Sequence, residues 1–261
     1  MDRENTGVQY GLLALPLAVI LIIGAVVLIH RSGSGSSSAS AAPPVGQSPP
    51  ATLPTVSAAV YAGQVQRAIR AQPGVRAELT ADDESLQFQV VAYAGRDSGV
   101  QAAQIGSQAL ETRYVGGVLY TYGSSVILQD FAGFSPTAAA SASGHWVAIH
   151  RGDKPFRSGV QGMTTQDFYT ATLGLVGQLE LVGPKRMDGV ECIGISGHDL
   201  GARTVPETVW VRAYGTPLPV VDIAEGSTPH GTIHEVTHFT RWGKPVHVVA
   251  PPSSVSYASL R

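Results

Sequence analysis

The residues best suited to chemistry form one pentad, His234-Glu235-Val236-Thr237-His238. On a helix, this H-E-x-x-H spacing lets both imidazoles bind one zinc ion while the glutamate acts as a general base. The flanking residues, however, are mostly β-branched or aromatic, which favours a strand. Residues four apart in a strand are separated by about 13 Å, too far to share one ion. We therefore predict no metal and no cofactor, with a zinc protease using His234, Glu235 and His238 as a remote alternative.

The other reactive side chains form no catalytic constellation either. Cys192 is the only cysteine, so no intrachain disulfide is available, and its apolar neighbours predict a buried thiol. Glu180, Glu191 and Glu207 show no spacing typical of paired catalytic carboxylates. The net charge of −2, without a basic stripe or tail, argues against nucleic acid as a partner. Together these observations predict that the protein is not an enzyme.

Short apolar segments with glycine-containing turns dominate the chain after residue 58 and predict about ten antiparallel strands. Two helices interrupt the strands, at Val56–Ala71 and at Thr165–Leu179. Residues 138–143 are predicted as a loop, and Val246–Val249 as the last strand. A long meander usually curls into a barrel or part of one. The predicted fold class is α+β, mostly antiparallel β: an unclosed barrel whose concave face the helices could cover.

An apolar segment near the start of the chain predicts attachment to a membrane. Gly11–Ile29 is an unbroken apolar run without a charged side chain. As a helix it would extend about 28 Å, close to the hydrocarbon thickness of a bilayer. We predict an uncleaved, single-span signal-anchor. A secretory signal cleaved near Ala39-Ser40-Ala41 is the alternative.

The segments around this run set the predicted domain organisation. Residues 1–10 are too few for a domain and are predicted to be a cytoplasmic tail. Residues 30–57, rich in Ser, Ala, Pro and Gly, are predicted to be a flexible linker. The main domain, 58–252, is therefore expected on the extracytoplasmic side of the cell membrane, followed by a C-terminal tail, 253–261.

Four sequence features follow one another in the second half of the chain. They are an apolar helix, Asp188-Gly189 with Val190–Gly197, Glu207–Val211, and Arg241–Val246, with the hairpin Thr216–Val220 before the last. This ordered set resembles the actinobacterial envelope lipoproteins of the LppX/LprAFG type, which share the LolA/LolB-like half-barrel fold. The resemblance covers residues 58–252. The lipidated cysteine that usually anchors this family is missing from the present sequence.

The resemblance implies a half-barrel with helices over its concave side that holds the acyl chains of lipids or glycolipids. The candidate cavity residues are Phe168, Leu175, Val176, Leu179 and Trp210. The same side chains would equally suit an ordinary core of helices packed on a sheet. Two hypotheses follow: a membrane-anchored, lipid-binding envelope protein, or a filled half-barrel that serves as a non-enzymatic interaction or sensory module in the cell envelope.

Overall fold

The computed structural model describes residues 51–83, 86–166, 168, 174–198, 205–228 and 231–260. Within these residues the chain forms one twelve-stranded sheet. Its first six strands are β1 (Gly74–Asp83), β2 (Leu86–Gly95), β3 (Gly99–Ile105), β4 (Gln108–Val115), β5 (Val118–Gly123) and β6 (Val147–Ile149). The other six are β7 (Val176–Met187), β8 (Val190–His198), β9 (Pro206–Arg212), β10 (Pro219–Thr228), β11 (Gly231–Thr240) and β12 (Val255–Ser256).

The strand order is β12-β6-β5-β4-β3-β2-β1-β11-β10-β9-β8-β7. Every neighbouring pair is antiparallel except β12 and β6, which run parallel. In the described part of the chain, β7 and β12 each pair along one side only, so the sheet is unclosed. The predicted unclosed, mostly antiparallel sheet is therefore confirmed, with twelve strands instead of about ten.

Helices cover one face of the sheet, which we call the inner face. They are α1 (Ala58–Arg70), α2 (Ser125–Asp130), α3 (Pro136–Ala142) and the short α4 (Phe156–Gly159), and a further helical turn begins at Thr165. The hydroxyl oxygens of Ser57, Ser124 and Ser135 accept backbone N–H groups three residues later and cap α1, α2 and α3. Buried side chains of these helices share one core with alternate residues of the strands.

The predicted helix Thr165–Leu179 is wrong in its second half. A helical turn does begin at Thr165, whose hydroxyl donates to the Gln72 carbonyl at 3.1 Å. Strand β7, however, already begins at Val176. Gly177 has a φ of 84°, a left-handed conformation that glycine adopts readily and that an α-helix excludes.

The predicted loop 138–143 is also wrong, because its residues up to Ala142 belong to α3. The cap from Ser135 and the proline at position 136 provide a helix start, and alanine favours the helix that follows. The sequence pattern missed this helix because it is only two turns long.

The predicted strand Val246–Val249 is wrong. The chain after β11 instead crosses the sheet. We call Gly243–Ser254 the crossing segment. Its Gly243 N–H donates to the Gly74 carbonyl at 3.0 Å, and its Val249 carbonyl accepts from the Arg113 guanidinium at 3.2 Å. The segment thus runs from β1 past β4 towards β6.

Residues 253–261, predicted as a tail, contribute β12 and a 3-10 helix, Tyr257–Leu260, within the described chain. The Val255 N–H donates to the Trp146 carbonyl at 2.8 Å, just before β6. The Tyr257 ring is buried with its centroid 5.0 Å from that of Phe134. The end of the chain is therefore part of the fold.

None of the helices in the described ranges is long and apolar enough to cross a bilayer. The predicted anchor, Gly11–Ile29, and the predicted linker up to residue 50 lie outside the described residues.

Candidate functional site

The pentad His234–His238 lies in strand β11, which confirms the predicted strand. Because side chains alternate along a strand and Thr237 and Phe239 are buried in the inner face, His234 and His238 share the outer face. Each imidazole has its own acidic neighbour: the His234 Nδ1 lies 3.7 Å from Glu225, and the His238 Nδ1 lies 2.7 Å from Asp188. Among the described residues, no three His, Cys, Asp or Glu side chains are grouped to hold a metal ion. The two imidazoles therefore lack the helical geometry of a zinc site.

The contact between His238 and Asp188 shows where the β7–β8 hairpin lies on the outer face. Asp188 forms the turn between β7 and β8, whereas β11 is three strands away from β8 in the sheet. The two side chains can meet only because the tip of the β7–β8 hairpin folds over the outer face. Bulges at Val182/Lys185 interrupt the β7–β8 pairing and permit this bend. The hairpin tip covers a small hydrophobic cluster, the outer cluster, of Cys192, Trp210, Val220 and Val221.

Trp210 therefore does not belong to the inner face. Its ring packs in the outer cluster, and the Lys185 Nζ lies 5.2 Å from the ring centroid, a cation–π distance. Cys192 is fully buried in the same cluster. Burial raises the pKa of its thiol from 9.0 to about 11, which keeps the thiol protonated and unreactive at neutral pH. The predicted burial of this thiol is therefore confirmed.

The other predicted cavity residues lie towards the inner face or at the sheet margin. Phe168 is 2% exposed, and its ring packs edge-to-face against Phe239 and Trp242 at centroid distances of 6.0 and 6.4 Å. Leu175 and Leu179 are partly buried against the main core. Val176 begins β7 and belongs to neither cluster. The structure thus brings Phe168, Leu175 and Leu179 to one core and separates them from Trp210.

Sequence reasoning missed a third leucine of this group. Leu181 also packs partly buried against the main core, paired with Ile195 of β8. We call Leu175, Leu179 and Leu181 the edge strip, because they line the inner side of the sheet margin. A period of two at Leu179 and Leu181 was the available signal, but the helix predicted through Leu179 concealed it.

Two features shape the space around the edge strip. Gly197 of β8 leaves room for it: a Cβ added there would lie 2.8 Å from the Leu179 Cδ2 and 3.4 Å from the Leu175 Cβ. Helix α1 packs along β7, and its Tyr61 hydroxyl donates to the Arg212 carbonyl of β9 at 3.5 Å. Burial raises the pKa of Tyr61, so this donor stays protonated. The edge strip is therefore bordered by Gly197 of β8 and by helix α1.

The half of the inner face that lies away from the edge strip contains a small cavity. A cavity of about 40 Å³ lies among the described residues between β3–β5 and α4, lined in part by Gln101, Thr112 and Thr121. Ligand pockets usually measure about 300–1,000 Å³, whereas a few tens of Å³ accommodate one or a few waters. This cavity is therefore too small for an acyl chain.

A larger groove, about 500 Å³, lies on the strands β11, β1, β2 and β3. Its lining combines the polar side chains of Asp82, Gln87, Gln89, Gln104 and His234 with those of Ala81 and Phe88. The volume suits a ligand that has both polar and apolar groups, whereas the polar side chains disfavour a bare acyl chain.

The chain is thus a helix-covered, unclosed antiparallel sheet with apolar side chains at one margin. No protein-family profile matches it, and no curated protein is similar in sequence. Among solved structures it is similar to LprF from Mycobacterium bovis, with a TM-score of 0.49 and 16% identity over 74% of this chain and 96% of that one. It is also similar to the lipoprotein LppX of Mycobacterium tuberculosis, with a TM-score of 0.44 and 13% identity over 74% and 98%.

A third similar structure is MucB, with a TM-score of 0.43 and 14% identity over 76% of this chain and 65% of that one. MucB has also been solved in complex with MucA of Pseudomonas aeruginosa. LprF and LppX, two proteins of the LppX/LprAFG type that the sequence resembles, are thus among the similar structures.

Proposed function

We propose that this chain is a membrane-anchored, extracytoplasmic protein that binds a lipid or lipid-like ligand between its sheet and its helices. The edge strip is the observation that supports this proposal. Leu175, Leu179 and Leu181 are only partly buried, at a margin of the sheet that has no further paired strand among the described residues, although they pack against the main core. When an acyl chain removes these apolar side chains from water, the free energy of the complex is lowered.

The proposed site lies between β7 and α1. An acyl chain would lie along Leu175, Val176, Leu179 and Leu181, and each Å² of apolar surface removed from water would contribute about 25 cal/mol. The head group would stay at the rim. Phe168 supports the site from within the core through its aromatic contacts, and Trp210 lies outside it. The mechanism needs no catalytic group, in keeping with the prediction that the protein is not an enzyme.

The apolar run Gly11–Ile29 would hold the protein in the membrane by a single span. A spanning helix inserts almost irreversibly, whereas one acyl chain binds a membrane only marginally. The protein would therefore act as a stationary binder rather than a carrier that leaves the membrane. Its linker would set how far the domain moves from the bilayer.

A second candidate function is the filled half-barrel that serves as an interaction or sensory module. The continuous core of the inner face favours it, because buried side chains extend from Ile149 at one end to Ile193 at the other. In this case the partner would be an envelope protein, and the interior would bind nothing.

Native mass spectrometry of the full chain, produced in an actinobacterial host and extracted in mild detergent, separates the two candidates. We expect a co-purifying lipid that is lost in Leu179→Trp, because the indole would fill the edge strip. Val249→Trp is the matched control, since Val249 is 75% exposed on the crossing segment. A clean apo mass with no uptake of offered lipids would reject lipid binding and favour the interaction module.

A further inference from the structure

Exposed apolar side chains are concentrated where the chain enters the domain. Leu53, Val56 and Val60 are 44%, 36% and 51% exposed and lie within eight residues of one another. They are three of the seven large hydrophobic side chains that are exposed in the described part of the chain. Core packing does not explain them, because α1 uses its other face, with Tyr61, Val65 and Ile69, to contact the core.

A fourth exposed apolar residue belongs to the same end of the molecule. Tyr214 is 47% exposed in the turn after β9. It follows by two residues Arg212, whose carbonyl accepts the hydrogen bond from Tyr61 in the first turn of α1. Tyrosine is enriched at membrane interfaces, where its ring meets lipid and its hydroxyl meets water.

The position of the predicted anchor indicates what meets this surface. Gly11–Ile29 is followed by 21 residues, 30–50, before the described chain begins at Ala51. A Ser/Gly-rich chain of this length spans about 25 Å on average. Leu53, Val56 and Val60 come directly after it in sequence, so a tether anchored at Gly11–Ile29 would hold this end of the domain closest to the bilayer.

We propose that Leu53, Val56, Val60 and Tyr214 form a bilayer-contact surface through which lipid reaches the edge strip. The inference rests on the proposed anchor and ligand site. Helix α1 contacts β7, so contact of the start of α1 with the bilayer would bring the membrane to the helix that borders the edge strip. A ligand would pass between bilayer and edge strip along α1, without crossing water.

The test uses the full chain in phosphatidylcholine nanodiscs, with one chain per disc. A bimane label on Ala59→Cys reports on the contact surface, and a label on Ala140→Cys is the matched control. Both alanines are exposed on helices, α1 and α3, and the native Cys192 is buried from the reagent. We expect lipids with nitroxide-labelled acyl chains to quench bimane at position 59 at least threefold more than at position 140.

A triple variant tests the residues themselves. Leu53→Ser, Val56→Ser and Val60→Ser together should reduce quenching at position 59 to the level at position 140. Val126→Ser, on the exposed side of α2, should leave it unchanged. All of these side chains are exposed, so the substitutions should not disturb the fold. An unaltered thermal midpoint of unfolding would verify this.

Several outcomes would overturn the inference. Equal quenching at the two labels, or no effect of the triple variant, would show that this surface does not contact lipid. Quenching that requires two chains per disc, together with disulfide crosslinks between unlabelled Ala59→Cys chains, would assign the surface to a second copy. If native mass spectrometry still detects lipid in these cases, the ligand site stands and only the contact surface fails. A chain that separates from the discs would overturn the anchor as well.

Discussion

The carboxylate of Asp188 lies 2.7 Å from the Nδ1 of His238 and joins the tip of the β7–β8 hairpin to strand β11. Along the sheet, β9 and β10 separate β8 from β11. The pair therefore marks the fold of the hairpin over the outer face, where Met187 and Val190 pack against the outer cluster. An imidazole that a motif search assigns to zinc instead contacts a carboxylate of a distant turn.

Breaking this contact should loosen the hairpin with little effect on global stability. Both side chains are close to half exposed, and exposed ion pairs contribute about 0–1 kcal/mol. We expect Asp188→Asn and His238→Gln to show a coupling energy of about 1 kcal/mol or less in a double-mutant cycle. Amide exchange in residues 186–191 should nevertheless become faster.

His234→Gln is the control for that experiment. Its imidazole lies 3.7 Å from Glu225 on the same face of β11 but does not contact the hairpin. It should leave amide exchange in the hairpin unchanged. A coupling energy of several kcal/mol between Asp188 and His238, or unchanged exchange in their variants, would contradict the proposed role of the contact.

The buried thiol of Cys192 predicts a loss of stability at high pH. Its pKa is about 11 in the folded protein and 9.0 in an exposed chain. Between these values the unfolded state loses a proton that the folded state keeps, so stability falls as pH rises, by up to about 1.4 kcal/mol per pH unit. Urea unfolding from pH 8 to 11 measures this slope. The same series on Cys192→Ala removes the contribution of the thiol, and equal slopes in the two proteins would refute the prediction.

Phe168 should be among the most costly core positions to truncate. Its ring is 2% exposed and contacts Phe239 and Trp242 edge-to-face. We expect Phe168→Ala to lower the free energy of unfolding by about 3–5 kcal/mol. Tyr122→Ala, in which a 40% exposed ring is removed from β5, should cost much less. Chemical denaturation measures both, and a small effect at Phe168 would indicate that the ring lines a cavity able to collapse.

The end of the chain should be required for stability. Deleting residues 253–261 removes β12 and the buried Tyr257, whose ring packs on Phe134. We expect the deletion to lower the thermal midpoint by several degrees, because about 1 kcal/mol shifts it by about 2–4 °C in a domain of this size. Ser253→Ala, an exposed substitution next to β12, should leave the midpoint unchanged. An unaltered midpoint after the deletion would mean that the segment is a dispensable tail.

The sequence pattern predicted the sheet well because alternation is a local property. Strand β11 was predicted from its β-branched residues, and that prediction alone removed the zinc site. The end of the helix that begins at Thr165 was not predictable in the same way. Leu175 and Leu179 fit a helical period and a strand equally well, and their spacing does not reveal the left-handed φ of Gly177, which an α-helix excludes.

The location of Trp210 lay beyond any local pattern. Val209, Trp210 and Val211 are all apolar, so alternation does not indicate which face the tryptophan takes. The hairpin that folds over it is brought there by bulges in β7 and by a contact 50 residues away along the chain. Long-range pairings of this kind leave no periodic signal, which explains why the predicted cavity residues divide between two clusters.

The seam between β1 and β11 has a consequence for how the protein is made. These strands pair from Arg76↔Thr240 to Asp83↔Ile233, so the first strand pairs with one that is synthesised 150 to 164 residues later. Until β11 emerges, the two meanders exist as separate, open sheets, and such non-local pairing is slow to form. The two meanders would therefore join into one continuous sheet only after β11 has been synthesised, and the pairing edge of β1 would stay exposed until then.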